Sequence, residues 1–348
     1  MICTWCKLYH KYDFVNVFFE KSEKKSKKKS EIPEKCFPAL LPGSFSEILQ
    51  RRFVQMQITE CSFAGIPECL KLSEGKIELI VTLSVGPRII SCTLDGGENF
   101  FRVFDNAATA DPGKWNIYGG HRLWIAPEIP ERTKVPDNRS VKWTKLSENS
   151  VCFEAAEEPE NRIVKRICIS FEEGKVRLDH TIINNDLWAK DLSVWSLSVM
   201  APGTTAVIPQ EEFLGHGTGP GKSLLPVRSL ALWGYTDMTD TRFTWGKKSI
   251  QLREEGGAEG VPAKIGVLNK RNCAAAFNAG GCMVKHFDFI SGGEYPDMGC
   301  NWEFYTIPGM LEVETLSPMY RVEPGCAVSS SEVWELYKEI PAFVKELM

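Results

Sequence analysis

Histidine is scarce: 348 residues contain only five, at His10, His121, His180, His216 and His286. None belongs to an HxH or HExxH pair, and the CTWC stretch at Cys3 and Cys6 has no second Cys or His pair to complete a tetrahedral site. No metal is expected. No apolar run reaches the ~20 residues of a membrane helix, and no secretory leader precedes the twelve cysteines. Reduced, mostly buried thiols and a cytoplasmic setting follow as expectations. The chain also lacks a phosphate loop and a strand–turn–helix glycine fingerprint, so no nucleotide cofactor is expected. An excess of positive charge is missing from the body of the chain. Net charge is −4, and residues 1–35 hold nine Lys against five Asp or Glu, which leaves about −8 on the remainder. Nucleic acid, which needs clustered cations, is an unsuitable partner; a small molecule suits better.

What remains is ordinary globular composition, 43% hydrophobic and 25% charged. Residues 1–50 include KSEKKSKKKSEIPEK, too polar to bury a core, and are expected to form a disordered extension with a Lys-rich tether. Residues 51–348 are expected to form one domain. There, short apolar runs such as KIELIVTLS, RIISCTL, RIVKRICISF, LSVWSLSVM and GMLEVETLS recur between Gly, Pro, Asn and Asp. Period two marks them as strands: in KVRLDHTI, Val176, Leu178, His180 and Ile182 share one face. Only SSEVWELYKEIPAFVKELM at the C-terminus has helical spacing, broken by Pro341. Few helices mean few parallel crossovers, so the fold class is all-β, with large antiparallel sheets in a sandwich.

Two stretches concentrate reactive side chains. In GMLEVETLSP a strand places Glu312 and Glu314 on one face, roughly 6.6 Å apart, where one carboxylate raises the pKa of the less solvated other toward that of a general base. In NIYGGHRLWIAPEIP, Gly119 and Gly120 permit a tight turn or close approach. Beside them, His121 titrates near neutrality, Arg122 offers fixed donors and Trp124 a flat apolar face for a sugar ring. Together these favour a ligand site. His180, on an apolar strand face, reads as a satisfied core histidine.

The blocks GGHRLW.APE, VPDN, ALWGYTDMTDTRF, AKIG, EVETLSP and PGCAVSSSEVWELY resemble a branch of the galactose-mutarotase-like (aldose 1-epimerase) superfamily, from about residue 55 to the C-terminus. The resemblance implies a β-supersandwich with a concave carbohydrate site and isomerase chemistry, in which Glu314 corresponds to the base. Asp240 and Arg242 in TDTR resemble a sugar-holding Asp-X-Arg step. His121 and Arg122 are similar in kind to site residues of the family, and Trp124, Glu128, Lys264 and Glu312 join the candidate substrate-binding set. One position departs: Trp195 in DLSVWSLSV stands where the epimerases carry their general-acid histidine. Ring opening requires an acid at the ring oxygen within hydrogen-bond reach, and tryptophan cannot supply it. Three readings follow: His121 acts as the acid; the site is a non-catalytic sugar-binding module with Trp195 as a wall; or a glycosidase uses two carboxylates among Glu128, Glu303, Glu312 and Glu314. All three take a small carbohydrate partner.

Overall fold

Period-two strands need a second apolar layer to cover their buried face, and the computed structural model, which describes residues 55–105, 110–111, 113–257 and 260–348, supplies it as two large sheets. The first runs Gln57–Phe63, Ile66–Glu74, Ile77–Thr82, Ile89–Leu94, Gly120–Ala126, Lys190–Met200, Met310–Leu316, Trp302–Ile307, Ala263–Val267 and Leu230–Leu232, with Tyr320–Val322 also paired to Lys190–Met200. The second runs Phe243–Trp245, Ser249–Arg253, Thr205–Pro209, Cys273–Asn278, Gly281–His286, Ala327–Tyr337, Lys175–Asn184, Ile163–Glu172, Ser150–Glu154 and Lys142–Ser147. Pairing is antiparallel at the centre of both. The expected extension at residues 1–50, with CTWC and His10, lies outside the described residues.

The inner faces meet in a core that includes Leu79, Leu123, Val194, Val313 and Phe304 from the first sheet and Phe153, Ile167, Leu178, Met283 and Trp334 from the second. A buried aliphatic or aromatic side chain of this kind is worth about 1.5–3 kcal/mol. The pair Gly119–Gly120 owes its composition to backbone crowding. Both residues have positive φ, and a Cβ at either would collide with the carbonyl oxygen of Arg102 or Ile89. The glycines therefore admit a central strand to the sheet.

Two expectations are corrected here. The helical reading from residue 330 onward fails over its first half: Ala327–Tyr337 is a strand between Gly281–His286 and Lys175–Asn184, and only Ala342–Lys345 is helical. Glu332 and Trp334, two apart, both point inward, so period two prevails over the chance spacing of Val333, Leu336 and Tyr337. Not all thiols are reduced: Cys152 and Cys168, register partners on neighbouring strands, form a disulfide.

Candidate functional site

Alternation along three adjacent strands decides what faces outward. Register places Trp124 opposite Trp195, Arg122 opposite Leu197, and Leu197 opposite Glu314. Glu314 is in turn opposite Glu303, and Lys264 opposite Tyr305. All these side chains lie on the face of the first sheet away from the core. Apart from Glu303 and Glu314, they floor and wall a cleft of about 360 Å³ lined by Trp115, Arg122, Trp124, Trp195, Tyr235, Lys264, Tyr305 and Glu312, with Glu128 and Lys134 among its charged wall residues. That volume lies within the range of about 300–1,000 Å³ usual for small-molecule sites.

The aromatic rings are steeply tilted to one another. Trp124 meets Trp195 edge-on at 69° and Trp115 at 60°, so they enclose a space from several sides. Arg122 lies over Trp124, 4.3 Å from the ring centroid, and its Nη2 donates to Glu312 Oε1 at 2.8 Å. Its Nε and Nη1, and Trp115 Nε1, are buried N–H groups without a hydrogen-bond partner. Unpaired buried donors are costly, and these belong to side chains that line the cleft.

Beneath the floor, Lys264 Nζ lies 2.6 Å from Glu303 Oε2 and 3.1 Å from Glu314 Oε2, and sits over the rings of Trp195 and Trp233. Trp195 Nε1 donates to Glu314 Oε2 at 2.8 Å. Burial raises the pKa of both carboxyl groups, Glu303 the more strongly, with Lys264 opposing. Burial also works against charge on Lys264, but Glu314 and Glu303 outweigh it and hold that pKa above the ordinary lysine range. Glu303 Oε1 and Glu314 Oε1 have no partner.

The structure thus brings Arg122, Trp124, Glu128, Trp195, Lys264 and Glu312 to the cleft wall, with Glu314 fully buried directly behind it. His121 does not join them. Its neighbours Arg122 and Gly120 face outward or lack a side chain, so alternation turns its ring into the core, where Nδ1 is 2.9 Å from Ser198 Oγ and Nε2 is 2.8 Å from His180 Nε2. The expectation of His121 as acid opposite Glu314 is corrected: the imidazole and the carboxylate lie on opposite faces of one sheet. Asp240 and Arg242 are also elsewhere. Arg242 is fully buried, donates to both Asp240 oxygens and to Val261 O, and braces the loop before Pro262. Glu303 is deep behind the cleft, and His216 and His286 lie outside its lining.

Sequence reasoning missed Trp115, Lys134, Tyr235 and Tyr305. Burial moves the Tyr235 phenol up to about 12 and also raises Tyr305, so both remain neutral donors. Tyr305 was accessible to the period-two argument, since it alternates with Glu303 in WEFYT; Trp115 and Tyr235 come from loops whose placement no local pattern encodes.

No protein-family model matches the chain, and no curated protein matches it. Its architecture does match solved structures. A galactose mutarotase-like protein from Lactobacillus casei superposes with a TM-score of 0.50 at 10% identity, over 77% of this chain and 100% of the other. A protein from Synechocystis sp. PCC 6803 does so with a TM-score of 0.50 at 11% identity, over 82% and 98%. The chain has the galactose-mutarotase-like fold. At this identity the likeness concerns the fold alone.

Proposed function

We propose that the chain binds a small carbohydrate in the aromatic cleft without interconverting its anomers. The observation that carries this reading is the combination, in one hollow, of tilted indole walls and unpaired Arg122 N–H donors, while Glu314 is sealed behind Trp195. Indole faces suit the C–H side of a pyranose and guanidinium donors suit its hydroxyls. Acid–base opening of the ring needs two titrating groups within reach of one substrate, and the imidazole that could have served is on the other side of the sheet.

A catalytic reading is favoured by one observation, the raised pKa of Glu314; it requires Trp195 to swing aside. The test is ligand-observed NMR over a panel of mono- and disaccharides, with anomer exchange of fresh α-sugars followed in the same tubes. Binding with unchanged exchange supports the proposal. Accelerated exchange that Glu314→Gln abolishes replaces it with the isomerase reading, and release of reducing ends from glycosides replaces it with the hydrolase reading. No binding across the panel contradicts all three.

A further inference from the structure

The inner face of the same three strands carries a second polar cluster that the cleft does not use. It spans the two sheets: His121, Ser196, Ser198 and Thr315 come from the first, and His180, Lys285, Glu332 and Trp334 from the second. All eight residues are fully buried. Glu332 accepts from Ser196 Oγ at 2.6 Å, from Thr315 Oγ1 and from Trp334 Nε1 at 2.8 Å, and pairs with Lys285 Nζ at 3.2 Å. Lys285 Nζ also donates to Ser198 Oγ at 3.1 Å and Val313 O at 3.2 Å.

Only one hydrogen fits between the two rings. An ammonium has donors only, so Ser198 Oγ accepts from Lys285 with one lone pair, and its hydrogen and second lone pair let it either donate to His121 Nδ1 or accept from it. Across the 2.8 Å contact one Nε2 donates and the other accepts, so the neutral pair carries one proton on Nε2 of one ring and the other on Nδ1 of its partner. A first extra proton is opposed by burial and by the neighbouring cations. A second would set two N–H groups against each other across that contact.

We propose that the His121–His180 contact is an acid-sensitive clasp between the two sheets, which holds the cleft floor in place and parts when both rings are charged. The charged groups that face the pair are Glu332 on Ala327–Tyr337, Lys285 on Gly281–His286, Arg122 beside His121 and Asp179 beside His180. Ile167, the register partner of His180 on Ile163–Glu172, adds none. Glu332 attracts a proton, but it is already engaged with four donors; Lys285 and Arg122 repel one, and burial disfavours the charged ring. The unfolded chain takes up these protons near pH 6.5 and the folded chain does not. Stability is therefore intact above pH 6.5 and falls as pH drops below it, by up to tenfold in the folding equilibrium per histidine per pH unit. Glu332 adds its own loss only below the ordinary carboxylate range. Because Arg122, Trp195 and Glu314 stand on the strands that carry His121, Ser196, Ser198 and Thr315, loosening reaches the cleft floor.

The test is histidine-labelled NMR from pH 7.5 to 5 on the full chain, with urea unfolding at each pH for wild type and the double variant His121→Asn/His180→Gln. The expected result is a non-titrating pair, one ring protonated at Nε2 and the other at Nδ1, and a folding equilibrium that drops up to hundredfold from pH 6 to pH 5 in wild type and much less in the double variant. Rings that titrate near pH 6.5 in the folded protein, or a different tautomer pair, overturn the proposal. So does an equal pH dependence in wild type and variant. If the variant does not fold, the imidazole spectra of wild type decide alone.

Discussion

Two buried charged clusters occupy opposite faces of the same strands, and they differ in how completely they satisfy themselves. On the core side, Glu332 receives a hydrogen bond on each oxygen and an ion pair, Lys285 spends its donors on Ser198, Val313 and Glu332, and His180 Nδ1 is the one buried polar side-chain atom of the cluster without a partner. On the cleft side, Arg122 retains two free N–H groups, and Glu303 and Glu314 each retain an oxygen without a partner. Burial is similar; satisfaction is not. A polar network nearly closed on itself specifies packing. One left open beside a hollow specifies a ligand.

The comparison breaks most readily on its closed side. Glu332→Leu should cost about 3–5 kcal/mol, because it strands a buried Lys285 charge; a loss below about 1 kcal/mol in urea unfolding would show that the core network is not a unit. On the open side, Arg122→Lys keeps a charge toward Glu312 but forfeits the planar donor edge. Carbohydrate affinity should fall roughly tenfold or more, on the scale of hydrogen bonds to charged groups at about 1.5–3 kcal/mol, and titration calorimetry with whichever panel sugar binds measures it.

Smaller effects sharpen the contrast through pH. Glu303 has a raised pKa in the fold, so the stability it lends is present at low pH and lost as pH rises above the ordinary carboxylate range. Glu303→Gln should therefore make stability depend less on pH between pH 4 and pH 8 than in wild type, as urea unfolding at both pH values measures. The two clusters thus pull in opposite directions between pH 4.5 and 6.5. His286, half-exposed and 3.5 Å from Glu335, serves as the control: His286→Ala should change stability by less than about 0.5 kcal/mol.

Much of this architecture could be read from the residues alone. Strands were legible because alternation is local: Val176 to Ile182 and Leu311 to Thr315 each declare their own two faces. The same alternation already separates His121 from Arg122 and Glu312 from Val313. It does not say which face of one strand joins which face of another, because that depends on register between segments nearly two hundred residues apart, such as Arg122 with Glu312. The histidine was placed with the carboxylate for that reason. Asp240 and Arg242 misled differently: a side chain two residues from its partner can close a salt bridge locally and leave nothing for a ligand. Ala327–Tyr337 was illegible because a strand flanked on both sides in a mixed apolar and polar layer carries an irregular pattern.

The most direct measurement follows the indole and imidazole resonances during titration with a sugar that binds. The predicted result is perturbation of the Trp115, Trp124 and Trp195 indole N–H signals, with His121 and His180 unchanged and anomer exchange no faster than in buffer. A direct shift of the His121 ring, or exchange accelerated by wild type and lost in Glu314→Gln, would contradict the assignment of one face to the ligand and the other to the core.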